Sequence, residues 1–238
     1  MSEKRPAVSL PLLVLAVLFA VCLVAANLLE TKQACLFGVN LTAGLIVFPV
    51  SYIIGDCLTE VYGFRAARLV IWLGFLMNAF FVAAGLVADL LPPADYWHGQ
   101  EAFHDMFGLA PRIVAGSFVA FLAGSLLNAY VMSRMKRSAG ERGFSLRASL
   151  STVAGESVDS LVFFPVALGG VIPWAELPGV MLAQVVIKTL YEVAALPVTL
   201  RVVRRLKRWE GGEAIDRGIS YNPFRIFEIQ TLHDDERR

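Results

Sequence analysis

The sequence predicts an all-α membrane protein of six transmembrane helices, and three observations carry that reading. Of its 238 residues, 57% are hydrophobic and 17% charged, and the mean hydropathy is +0.63, well away from a soluble domain. Six windows are apolar over the roughly 20 residues a helix needs to cross a hydrocarbon core about 30 Å thick. The basic residues also gather on alternate connections of such a chain, although the net charge is only +1.

The first window, Val8 to Leu28, is too long for a cleaved signal peptide, and its exit at Glu30 to Lys32 is too polar, so a retained helix is expected. The second, Val39 to Leu58, is interrupted by Gly44, Pro49 and Gly55. Backbone groups freed by such breaks must be satisfied inside the protein or beside a watery cavity, so this helix is expected to line something. Ala67 to Leu91, Pro111 to Met132, Leu150 to Ile172 and Leu177 to Val203 complete the set. Residues 1–207 thus form one transmembrane domain, and 208–238 a short cytoplasmic tail in which Tyr221-Asn-Pro-Phe224 is expected to lie on the surface as a strap. No soluble domain, low-complexity stretch or direct repeat is expected beside them.

Placing the amino terminus inside leaves every one of the 21 basic residues in the cytoplasm except Lys32, Arg112 and Lys188. Both termini are then cytoplasmic. The outer connection from Asp89 to Ala110 holds Asp95, Glu101 and Asp105 but no Lys or Arg. Its Tyr96, Trp97, Phe103, Met106 and Phe107 fall on one side of a short helix, as in a segment lying in the interface plane. An aromatic belt anchoring the loop is favoured over a lid.

Cys22, Cys35 and Cys57 are odd in number and show no CxxC spacing, so neither a disulfide framework nor a zinc site is indicated. His98, His104 and His233 all fall outside the windows, which leaves haem or a His-held metal without ligands there. There is no Gly-rich phosphate loop, HExxH or GxSxG. No cofactor is expected, and an enzyme or ATPase is disfavoured.

The helices themselves are rich in polar groups. Tyr52, Asp56 and Glu60 share a face, as do Thr152, Glu156 and Asp159, and Gln184, Lys188 and Glu192 form a third stripe; Asn27, Arg112, Ser117 and Asn128 add to them. A charge at a helix centre costs roughly 2.5 to 3.5 kcal/mol on the insertion scale, so these groups must face inward and meet each other or water. Glu60 is balanced between this role and a place at the interface near Arg65, and Asn128 leans towards joining helices. Glu30 and Lys32 suit an outer surface pair, and Gly116, Ala120 and Gly124 suit close helix contact.

Several motifs together resemble a known family. Phe48-Pro-Val-Ser-Tyr52 followed by Asp56, then Thr59-Glu-Val-Tyr-Gly63, is similar to the signature of the bacterial queuosine precursor transporters, a vitamin-uptake-like membrane family. The likeness continues through Asn27 with Lys32, Pro111-Arg-Ile113 with Ser117, Ser151-Thr152 with Gly155, Asp159-Ser-Leu-Val-Phe-Phe164, and Lys188. Glu156 and Asn128 depart from it, standing where members often carry an uncharged amide and Asp. The resemblance implies an importer of 7-cyano-7-deazaguanine or 7-aminomethyl-7-deazaguanine in the inner membrane. It also implies the six-helix fold of the substrate-binding subunits of energy-coupling-factor importers. A binding subunit of an ATP-driven vitamin or nucleobase importer is the alternative. The expected partners are the solute and the lipid bilayer, with a homodimer left open and no nucleic acid.

The residues suit such a cargo. A deazaguanine offers N–H donors on one edge, which carboxylates accept, and a carbonyl to which Lys, Arg or Asn donates. Phe48, Tyr52 or Phe163 can sandwich its ring. Glu156 or Asp159 is expected on the donor edge and Asn27, Gln184 or Lys188 on the acceptor edge, with Asp56 holding Lys188 or Arg112 in place. The excess of acids over Arg112 and Lys188 makes proton-linked transport one mechanism to consider.

Overall fold

The computed structural model describes residues 8–30, 32–36, 39–107, 111–139, 143–169, 173–175, 177–216, 219–222 and 224–225. They form a helical bundle: α1 (Leu10–Glu30), α2 (Phe48–Asp89), α3 (Gln100–Phe107), α4 (Pro111–Ala139), α5 (Phe144–Phe163) and α6 (Leu177–Glu210). A small antiparallel hairpin, β1 (Gln33–Leu36) with β2 (Val39–Thr42), joins α1 to a 3-10 turn over Ala43–Ile46. The expected helix from Val39 is therefore shorter than its window. Pro49 is tolerated only in a helix's first turn, and α2 accordingly starts at Phe48.

α2 runs for 42 residues, about 63 Å at 1.5 Å per residue, twice a hydrocarbon core. It is interrupted only at Gly63 (φ 81, ψ 173), a conformation open essentially to glycine. The second and third windows are thus two arms of one element, with a single-residue break where a longer connection was expected. By length and apolarity α1, α2, α4 and α6 qualify to cross a membrane. α5 has the length but carries Arg147, Glu156, Asp159 and several serines, and is not among them. It continues into a wide π turn, Phe164–Leu168, containing Pro165, whose missing N–H prevents a regular helical bond.

The bundle is apolar outside and polar inside. Phe80 is 70% exposed, and Leu13, Val119, Leu161 and Leu182 also point outward, while Glu60, Arg68 and Glu156 are fully buried. That distribution suits lipid as the surrounding solvent. At the centre the rings of Phe19, Phe48, Tyr52 and Phe121 meet. α4 and α5 touch backbone to backbone: a Cβ on Gly124 would fall 2.8 Å from the Gly155 carbonyl oxygen and 2.6 Å from the Tyr52 hydroxyl. Small residues admit that approach, as the stripe on α4 suggested.

One end of the bundle gathers charge. Glu60 accepts two bonds from Arg147 Nη2, at 2.7 and 2.8 Å, and one from Lys207 Nζ at 2.8 Å. Glu60 is thereby enclosed, because α5 and α6 bring cations to it. The tail is threaded into the same end. Ala214 N–H donates to Val61 O at 2.8 Å, Asp216 accepts from the Phe64 N–H at 2.9 Å and from Ser133, and Glu213 pairs with Lys136 and Lys207. Arg68 donates to the carbonyls of Ser220 and Asn222, and Tyr221 packs between Phe64, tilted to it, and Tyr130, edge-on to it. The tail is anchored through Glu213, Asp216 and the half-buried Tyr221, while Asn222 and Phe224, which is 74% exposed, lie on the surface as expected of the strap.

At the other end α3 folds back on α2. Phe107 meets Phe81 and covers Gly85, Gln100 donates to Asp89, and His104 sits 2.7 Å from Asp89. The side chain of Glu30 lies outside the described residues, so the Glu30–Lys32 pair does too.

Candidate functional site

Phe48, Tyr52 and Asp56 sit at four-residue spacing on the first arm of α2, so one helical face carries all three inward. Pro49 lies in the first turn of the helix, directly after Phe48. From α5 come Glu156 and Asp159, and from α6 come Gln184 and Lys188. All seven are buried, with Phe48, Gln184 and Lys188 the most accessible at 7%.

Lys188 is the hub. Its Nζ lies 2.9 Å from Glu156 Oε2, 3.4 Å from Asp159 Oδ2 and 3.9 Å above the centre of the Phe48 ring. An ammonium between two carboxylates, over a ring face, is held by both charge and quadrupole. Glu156 Oε1 has no hydrogen-bond donor among the described residues. Tyr52 stands edge-on to Phe121 and is seated by Gly124 and Gly155.

Asp56 was expected to hold Lys188 or Arg112; the ion pairs of Lys188 described above run to Glu156 and Asp159, and the Arg112 side chain lies outside the described residues. Asp56 accepts a 2.9 Å bond from Asn128 Nδ2, and Glu192 is the α6 residue that faces it. Lys188 lies one turn earlier on α6 and turns to the acids of α5 instead. Asn27, half-buried on α1, has an Nδ2 with no acceptor among the described residues. The side chains of Arg112 and Ser117 lie outside the described residues.

Other partnerships escaped the sequence. Thr152 Oγ1 donates to Glu192, and Arg147 is the buried partner of Glu60. The i, i+4 spacing of Thr152 and Glu156 marked that α5 face as polar, but no local pattern couples Arg147 to an acid 87 positions away.

Buried acids, a lysine and clustered rings inside a bundle with an apolar exterior define the class as a multi-pass membrane protein with a polar interior. A family model described as "Putative vitamin uptake transporter" matches residues 42–202. The "Probable queuosine precursor transporter" of Bacillus subtilis is 33% identical over 177 residues, 73% of this chain and 76% of that protein. The "Queuosine precursor transporter" of Escherichia coli is 27% identical over 59% of this chain and 61% of its own length, and a Haemophilus influenzae relative is 25% identical. No solved structure matches. The chain belongs to this vitamin-uptake, queuosine precursor transporter family, and is a transporter rather than an enzyme.

Proposed function

We propose that this protein imports queuosine precursors, 7-cyano-7-deazaguanine or 7-aminomethyl-7-deazaguanine, across a bacterial inner membrane. The observation that carries the reading is the buried Glu156, Asp159 and Lys188 set over the Phe48 ring. A deazaguanine stacking near Phe48 and Tyr52 gives its N–H edge to the Glu156 or Asp159 carboxylate, while its carbonyl takes a bond from Lys188, Gln184 or Asn27. The cargo competes with the resident ion pairs, so binding rearranges Lys188 instead of filling a rigid cage. Six crossings follow if the two arms of α2 each span the bilayer and α5 is screened by its neighbours. Both termini then face the cytoplasm.

The experiment is uptake of each labelled deazaguanine by cells that lack their own route, with and without this chain. Accumulation that depends on the chain and is competed by the unlabelled compound is expected. Cells that express the protein in the membrane and take up neither compound would overturn the reading.

A further inference from the structure

A second polar cluster lies beside the first, built from four helices: Asp56 on α2, Asn128 on α4, Thr152 on α5 and Glu192 on α6, all at least 98% buried. Asn128 Nδ2 donates to Asp56 Oδ1, Thr152 Oγ1 donates to Glu192 Oε2, and the two carboxyls face each other within hydrogen-bonding reach. Both available donors are thereby used, and what remains is oxygen. Asp56 Oδ2, Glu192 Oε1 and Asn128 Oδ1 have no donor among the described residues. Asn128 is the telling member: a neutral side chain, fixed by its amide nitrogen, whose carbonyl oxygen is left unpartnered in the same cluster.

The surrounding charges do not balance the pair. Along α2, Cys57 is neutral as a thiol, and Glu60, one turn on, is engaged by Arg147 and Lys207. α5 presents Glu156 and Asp159, and α6 presents Lys188, which lies between those two acids. Among the described residues α4 presents the neutral Asn128 here, and Leu10–Leu29 of α1 contains no charged residue. Two carboxyls are thus pressed together in a low-dielectric interior, while Lys188, Arg147 and Lys207 among the described residues are engaged by other acids.

We propose that Asp56 and Glu192, with the oxygens of Asn128 and Thr152, form a binding site for one monovalent cation, a proton or an alkali ion, whose entry is coupled to solute transport. Either occupant supplies the missing positive charge: a proton shared between the carboxyls, or a small ion among the four side-chain oxygens. The site shares a helical face with Tyr52 through Asp56 and with Lys188 through Glu192, so filling it alters the field at the solute site one turn away. The coupling rests on the transport reading; the cation site itself does not.

The test uses the full chain purified in detergent, without solute. Its melting temperature is followed as Na+ replaces choline at fixed pH, and as pH is lowered without Na+. A rise of a few degrees with one of the two is expected, lost in Glu192→Gln and in Asp56→Asn; dependence on Na+ identifies an alkali ion and dependence on pH a proton. No rise in the wild type, or an undiminished rise in both variants, overturns the site. In proteoliposomes, accumulation of labelled 7-cyano-7-deazaguanine driven by the corresponding gradient is expected, with Glu192→Gln retaining exchange but not accumulation. Uptake indifferent to both gradients overturns the coupling, whereas a cation-dependent melting shift without any deazaguanine uptake overturns the transport reading alone.

Discussion

Asp159 and Glu60 are both buried helix acids, and their surroundings give them different work. Asp159 shares Lys188 with Glu156, so removing its charge leaves Glu156 to hold the lysine while the approach of an N–H donor is weakened. Asp159→Asn is therefore expected to weaken or abolish labelled-deazaguanine uptake while insertion and expression stay normal. Normal uptake with normal ligand-induced thermal stabilisation would remove Asp159 from the site and leave the role to Glu156 or Asp56. Glu60 is instead the anion that balances fully enclosed Arg147 and partly enclosed Lys207. Breaking a buried pair by deleting one partner costs on the order of 3–5 kcal/mol, so Glu60→Gln is expected to lower the melting temperature sharply. An unchanged melting curve would show that Arg147 finds another partner. Sequence spacing identified Glu60 as one of three polar residues on a face, but not its enclosure, because the cations come from α5 and α6.

At the scale of elements, the turn at Gly63 and the tail depend on each other. A Cβ on Gly63 would meet Asp216 Oδ1 at 2.7 Å, and its φ of 81° is itself unfavourable for any other residue. Gly63→Ala is expected to cost about 1–3 kcal/mol from the backbone alone, read as a lower melting temperature in detergent; an unchanged value would mean that the arms of α2 can join differently. In the tail, burial pushes the Glu213 carboxyl up, but Lys136 and Lys207 together pull it below its ordinary value. A depressed folded-state value means that its contribution to stability is present above the unfolded value and is lost as pH falls through the folded one. The stability gap between wild type and Glu213→Gln should therefore be full near neutrality and close in acid; a gap independent of pH would contradict the ion pairs. That Tyr221 packs against Phe64 and Tyr130 was not legible in Tyr221-Asn-Pro-Phe224, since that seat is made by α2 and α4.

For the molecule as a whole, the basic residues predict an orientation that reporter fusions can test. Reporters after Arg137 and at the carboxyl terminus should read as cytoplasmic, and one near Gly99 as external; an external signal after Arg137 would overturn the topology. Sequence alone determined that this chain lives in lipid, roughly where most of its long helices lie, and which acids and lysine were too costly to leave facing hydrocarbon. Those are consequences of composition and period, which each segment carries by itself. The tertiary structure decided that α2 is one broken helix, that Lys188 belongs to Glu156 and Asp159 while Asp56 faces Glu192, and that the tail closes the end where Glu60 is buried. Those outcomes depend on which helix faces are apposed, and each involves partners dozens of residues apart whose meeting no local spacing records.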